Sequence, residues 1–370
     1  MFGRMSVPSS SATTLAEHVL RLYPGSTVTR ICALGADESS EESSTETSKG
    51  LGYGRPVRVD LDGPQGRRRL VFHTARPDDF GHDRRSDRAQ AMLLLWDCAA
   101  RIPFHTRAVD VGALRSDGDL LSLADAGEFY VVTEWCDGLP YAEDLRRVAA
   151  SGQSTALDLR RAEALARALV EIHSVPGSHP AAYTRAIRDL LGHGEAIFGL
   201  VDSYPIDTPG ISPDELRRIE EACLRWRWRL RGQTTRLRRT HGDFHPFNIL
   251  FDGETLHLLD TSRGAEGDPA DDVACLSINY LFFGLEHRKY WRDGLGRLWE
   301  RFWQVYLDER DDPGILSAVA PYFAWRGLVL ASPLWYPHLT EDDRRRVLAF
   351  VERVLNAERF DPAWGPEAML

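Results

Sequence analysis

Apolar residues recur at helical spacing from Thr13 to Leu22, where Leu15, Val19 and Leu22 share one stripe and Pro24-Gly25 closes the segment. The period then changes. Thr27 to Leu34 is dense in β-branched residues and predicts a strand, while Pro56 to Leu61 and Arg69 to Thr74 predict two more around a Gly63-Pro64-Gln65-Gly66 turn. Between the first strand and the second, residues 36–48 are nearly all Ser, Thr, Glu and Asp, which predicts a mobile loop, and Gly50-Leu51-Gly52-Tyr53-Gly54 follows. Arg84 to Ile102 predicts a helix with Met92, Leu95 and Trp96 on one stripe, and Gly127 to Trp135 predicts a further buried strand.

After Cys136-Asp137-Gly138 the pattern turns to long amphipathic helices. Ala162, Leu165, Leu169 and Ile172 form one apolar stripe ending near His173, and Asp214 to Arg231 carries another with Ile219, Trp226 and Leu230. The region from Leu276 to Leu355 is mostly helical in pattern, with aromatic clusters at Tyr280 to Phe283 and Tyr322 to Trp325. Trp226, Trp228, Trp325 and Trp335 are assigned to the core rather than to a pocket, the commoner fate of aromatics at helical spacing. The expected class is therefore α+β, with an antiparallel-sheet lobe over residues 1–135 and a mainly helical lobe over 136–370.

Composition narrows the function. With 370 residues, 43% of them hydrophobic and 27% charged, the chain suits two globular lobes. Its net charge of -10 argues against broad electrostatic binding to nucleic acid or to an anionic membrane. Lys49 and Lys289 are the only lysines, so any lysine-dependent chemistry has two candidates. The cysteines Cys32, Cys98, Cys136, Cys223 and Cys275 are scattered and odd in number, which excludes a zinc knuckle and a disulfide framework and points to a reducing cytosol. No apolar run approaches the roughly 18 residues of a membrane span.

One segment carries chemistry: His241-Gly242-Asp243-Phe244-His245-Pro246-Phe247-Asn248, then Ile249-Leu250-Phe251, a turn at Asp252-Gly253, and Leu256 to Asp260. Gly242 and Pro246 oppose a helix, so a loop feeds a hairpin. The turn brings Asn248 and Asp260 to within about two positions of cross-strand partners, roughly 7 Å or closer. An amide oxygen and a carboxylate with open positions beside them suit Mg²⁺, and Asp243 is then free to accept a proton. His241 and His245 stand four apart, but zinc pairs at that spacing ride helices, so they are assigned to bracing the loop by hydrogen bonds.

This order of residues resembles the aminoglycoside phosphotransferase family, small-molecule kinases with a protein-kinase-like fold. The resemblance rests on His241-Gly242-Asp243, Asn248, Asp260, and Gly267-Asp268-Pro269-Ala270-Asp271-Asp272-Val273-Ala274. It implies that Asp243 is the catalytic base, that Asn248 and Asp260 hold Mg²⁺ on the phosphates of ATP or GTP, and that Asp272 supports the catalytic loop from behind with His241. Only twelve positions separate Asp260 from Asp272, too few for a protein kinase's activation loop, so a small-molecule hydroxyl acceptor is expected. No nucleic acid, membrane or obligate protein partner is implied, and the expected location is cytoplasmic.

The family's phosphate-clamping lysine is replaced by His73, and the helix from Arg84 to Ile102 lacks the glutamate that would pair with it. Lys49, beside the glycines Gly52 and Gly54, is the candidate substitute cation, with Arg84, Arg85 and Arg88 as further phosphate contacts. Glu134 and Cys136 resemble the hinge that meets the adenine ring. Arg188, Asp189, His193 and Glu195 are the acceptor candidates, set among Ile187, Leu190 and Phe198. Two rival readings remain: a kinase-shaped nucleotide-binding protein impaired in catalysis, and nucleotidyl transfer on the same fold.

Overall fold

A computed structural model describes residues 9–33 and 56–368, with side chains from Thr13 onward. The chain divides into two compact units, Met1–Thr133 and Glu134–Leu370. In the first, α1 (Ser9–Leu22) sets Leu15 and Val19 against Val59 and Leu61 of a three-stranded antiparallel sheet. The strands are β1 (Thr27–Ala33), β2 (Val57–Gly63) and β3 (Gly66–Phe72), with β2 central. Pro64 and Gln65 form the two-residue turn between the paired Gly63 and Gly66, and Gly66 takes φ +92°, a conformation suited to glycine. Asp60 is buried in β2 and accepts two hydrogen bonds from Arg58, at 2.7 and 2.6 Å. Next come α2 (Arg85–Ala99) and a short antiparallel ribbon of β4 (Gly112–Leu114) and β5 (Leu120–Ser122).

Three expectations for this unit need correction. β3 stops at Phe72, opposite Val57 at the start of β2, so His73 and Thr74 have no described strand to pair with and lie outside it. Gly127 to Trp135 forms no strand: Phe129, Tyr130, Val131, Val132 and Trp135 are all exposed. Its apolar run from Phe129 to Val132 suits a buried strand, but no described strand edge pairs with it, and a strand exists only by pairing. Helix α2 forms, yet Ala99 is its sole buried residue and Leu95 is exposed, because its apolar positions wind around the helix instead of lying on one face. Lys49, Gly52 and Gly54 fall outside the described residues.

The second unit begins with β6 (Leu139–Pro140), α3 (Tyr141–Ser151), α4 (Ala156–His173), α5 (Pro180–Gly192), α6 (Ile197–Ser203) and α7 (Pro213–Leu230). Four short strands follow: β7 (Arg238–Arg239), β8 (Ile249–Asp252), β9 (Thr255–Leu258) and β10 (Glu266–Gly267). The chain ends in α8 (Ala270–Gly284), α9 (Leu295–Glu309), α10 (Ala320–Ala331), α11 (Glu341–Asn356) and α12 (Trp364–Ala368). Helices α8 and α10 are apolar nearly all round and are buried nearly all round, the expected fate of such helices. They form the centre on which the loop from His241 to Asn248 rests. Trp226 and Trp325 are core residues as expected, whereas Trp228 and Trp335 are exposed.

Strand β8 lies between β6 and β9. Gly138, at φ +128°, lets the connector run against β8: a Cβ there would stand 2.8 Å from the Phe251 carbonyl carbon. No helix among the described residues is long and apolar enough to cross a membrane.

Candidate active site

The hairpin pairs Ile249 with Leu258 and Asp252 with Thr255, so the turn residues are Gly253 and Glu254, one position later than the expected Asp252-Gly253. Beyond the strands, the Leu259 amide donates to the Asn248 carbonyl at 2.9 Å, which leaves Asp260 one position past Asn248's partner. Asp260 has φ +60°, a left-handed conformation that short polar side chains tolerate. Its carboxylate accepts the Ser262 amide at 2.9 Å, and the Ser262 hydroxyl and amide together hold it below the usual carboxylate range. Asn248 Nδ2 donates to the Asp243 carbonyl at 3.1 Å. Asp243, Asn248 and Asp260 are thus brought together by one loop and the first positions beyond one hairpin.

The loop is held from behind by α8. The wholly buried Asp272 accepts the amides of His241 at 2.7 Å and Gly242 at 2.8 Å, and His173 Nε2 at 3.0 Å. A carboxylate only accepts, so His173 donates through Nε2 while Nδ1 faces the Tyr306 hydroxyl at 2.9 Å. Burial would raise the Asp272 carboxyl, but these donors outweigh it and hold it low. Gly242 takes φ +83°, and a Cβ there would meet the Gly264 carbonyl oxygen at 2.9 Å. His241 Nδ1 accepts the Asp243 amide at 3.3 Å and His245 Nδ1 accepts the Phe247 amide at 3.2 Å, so both histidines brace the loop.

Asp243 is 7% exposed and faces two guanidiniums and an imidazole. Arg326 Nη1 donates to its Oδ1 at 2.6 Å, while Arg263 Nε and His245 Nε2 stand 3.4 and 3.5 Å from Oδ2. Burial pushes its carboxyl up, but His245, Arg326 and Arg263 more than reverse this, so Asp243 is ionised far below neutral pH. Arg326 Nη2 also reaches the Gly242 carbonyl at 2.9 Å and Asp271 Oδ1 at 2.7 Å. Burial pushes Asp271 up against the pull of that guanidinium, and Asp272 adds to the push.

Sequence reasoning missed Arg326 and Arg263. The signal for Arg326 was present: it is the one charge in the apolar run from Ala320 to Ala331, and a buried charge requires a partner.

Of the four acceptor candidates, Glu195 is tied to this group. Its carboxylate lies 3.1 Å from Arg263 Nη1, and its carbonyl accepts Trp325 Nε1 at 2.8 Å. Arg188 and Asp189 pair with each other on α5 at 3.5 Å, where Arg185 also donates to Asp189 at 2.9 Å. His193 ends α5 and accepts the Glu195 amide through Nδ1. Glu134 is exposed and Cys136 half-buried, in the connector before β6. His73 is exposed just past the end of β3, in the first unit.

The donor set fits a magnesium ion. With its Nδ2 committed to the Asp243 carbonyl, Asn248 presents Oδ1, and the exposed, ionised Asp260 presents a carboxylate oxygen. Magnesium is commonly bound by one or two such oxygens together with substrate phosphates. Among the described residues there is no group of three or more His, Cys, Asp or Glu placed to hold a metal.

Residues 61–311 match the model of the phosphotransferase enzyme family. No curated protein's sequence matches. Among solved structures, a glucosamine kinase in complex with glucosamine, ADP and inorganic phosphate aligns at 17% identity and a TM-score of 0.34, over 62% of this chain and 57% of its own. A choline/ethanolamine kinase family protein from Mesorhizobium loti aligns at 14% identity and a TM-score of 0.35, over 76% of this chain and 84% of its own. A macrolide 2'-phosphotransferase type I aligns at 16% identity and a TM-score of 0.29, over 95% and 99% respectively. The chain thus spans a little over half the length of the first of these.

Proposed function

The chain belongs to the phosphotransferase enzyme family, and on that premise we propose that it moves the γ-phosphoryl group of ATP or GTP to a hydroxyl of a small molecule. The acceptor oxygen bonds to phosphorus, the bond to the β-phosphate oxygen breaks, the hydroxyl proton passes to Asp243, and the nucleoside diphosphate leaves. The observation that supports this reading is the hydrogen bond from Asn248 Nδ2 to the Asp243 backbone carbonyl at 3.1 Å, which ties the residue bearing the buried carboxylate to the residue presenting Oδ1.

Asp243 is ionised at neutral pH and can accept a hydrogen bond from the acceptor hydroxyl, orienting its oxygen toward phosphorus. Its low proton affinity is compatible with that role, because phosphoryl transfer passes through a loose transition state and the hydroxyl needs orienting more than early deprotonation. Asn248 Oδ1 and the Asp260 carboxylate would hold magnesium, which when bound neutralises charge on the phosphate oxygens. Asp272 and Gly242 keep the loop in shape. Glu195, through Arg263, is the acceptor candidate best supported by contacts. All five cysteines are free, which supports a reducing, cytosolic setting.

The experiment is incubation with ATP or GTP and Mg²⁺ across a panel of amino sugars, amino alcohols and other hydroxylated small molecules, read by product mass. A product heavier by one phosphate supports the proposal. A product heavier by a nucleotidyl group, or nucleotide binding with no consumption across the panel, contradicts it.

A further inference from the structure

Arg326 does more at this site than neutralise charge. It is 7% exposed, and its guanidinium carbon lies 3.8 Å from the ring centroid of Trp325. Trp325 is itself fixed, because its Nε1 donates to the Glu195 carbonyl at 2.8 Å in the linker between α5 and α6. Arg263 lies 5.0 Å from the same ring and pairs with the Glu195 carboxylate. From this stacked position Arg326 sends Nη1 to Asp243 and Nη2 to both the Gly242 carbonyl and Asp271. Gly242 is therefore gripped on both sides, its amide by Asp272 and its carbonyl by Arg326.

We propose that Arg326 is a positioning residue: its rigid fork, stacked on Trp325, sets where Asp243 stands relative to the Asn248 and Asp260 oxygens and registers the catalytic loop against the α5–α6 linker. The proposal rests on the reading of Asp243 as the base. A guanidinium offers planar donors at fixed angles, whereas an ammonium is a point charge on a flexible stem. Three acceptors on two segments, the loop and the start of α8, use that fixed geometry. A counter-ion alone would make no demand for a fork, so Lys and Arg would serve equally.

The test uses the full chain with Arg326→Lys, which keeps the buried positive charge, and Arg326→Met, which removes it. Amide hydrogen exchange across His241 to Asn248 is measured for both, together with Mg²⁺-dependent release of ADP from ATP or GDP from GTP. In Arg326→Lys the loop amides are expected to exchange about tenfold faster or more, one tenfold step being about 1.4 kcal/mol of opening free energy. The nucleotide KM should stay within about twofold and kcat should fall on the order of 10²-fold, the penalty for a reacting group misplaced by about 1 Å. Arg326→Met should lose at least as much of both.

Wild-type loop protection in Arg326→Lys would overturn the proposal, as would a wild-type kcat. If the unaltered protein consumes no nucleotide, the functional reading fails and the exchange measurement still decides the positioning role by itself.

Discussion

The buried carboxylate of Asp272 accepts the amide of His241 at 2.7 Å across 31 residues of sequence. Through it the first turn of α8 sets the shape of the loop from His241 to Asn248. Asp272→Asn replaces an acceptor with a donor facing two amides and His173, and it removes one charge from a buried set. The expected loss is about 3–5 kcal/mol, the usual cost of breaking a buried ionic contact from one side. Urea unfolding reads it, and a midpoint within error of the unaltered protein would remove the bracing role.

Asp243 and Asp272 are both held below the ordinary carboxylate range, so near pH 4 the unfolded chain binds more protons than the folded one. The stability they contribute is complete above about pH 5 and is lost as pH falls through the unfolded value near 3.9 toward the lower folded values. Asp271 is raised to about 6 and works in the opposite sense, trimming stability as pH rises from the unfolded value near 3.9 to that point. Thermal unfolding from pH 3 to 8 should therefore crest between about pH 4 and 5 and fall toward pH 6. A melting temperature that is level from pH 7 down to pH 3 would contradict these assignments.

Gly242 is the loop position where glycine is required. At φ +83° a side chain is strained, and its Cβ would press on the Gly264 carbonyl oxygen, a backbone atom that yields only with the chain. Gly242→Ala is expected to cost about 1–2 kcal/mol from the left-handed backbone alone. It should lower turnover more than nucleotide binding, because the next residue is Asp243. Equal loss of both would instead indicate general unfolding of the site.

The segment from His241 to Asp260 was legible in the sequence because its geometry is local. Gly242 and Pro246 exclude a helix, and the turn before Thr255 fixes the register of β8 against β9, so Asn248 and Asp260 had to come close. The one-residue shift of the turn, to Gly253 and Glu254, left that conclusion standing. Helices α4 and α7 were legible from their stripes for the same reason.

What depended on distant partners was not legible. Arg326 meets Asp243 across 83 residues, and no local pattern announces such a contact. Gly127 to Trp135 carries the apolar run of a buried strand, but an apolar run does not supply an edge to pair with. The spacing of Met92, Leu95 and Trp96 gave α2 as a helix without saying how little of it would be buried.

Asn248 and Asp260 make a prediction about metal dependence. Asp260→Asn and Asn248→Ala should each raise the magnesium concentration needed for half-maximal nucleotide turnover, on the order of tenfold or more. Melting temperatures should hold, since both residues are partly or fully exposed. Magnesium activation curves that superimpose on that of the unaltered protein would place the ion elsewhere.

The central claim is that Asp243 receives or orients the acceptor hydroxyl, and Asp243→Asn tests it with the least change of shape. Steady-state phosphoryl transfer from ATP or GTP is expected to fall by about 10²- to 10⁴-fold, the usual contribution of a general base. The nucleotide dissociation constant, measured separately by calorimetry with Mg²⁺ present, should change little. An Asp243→Asn protein that transfers phosphate at the unaltered rate would contradict the account.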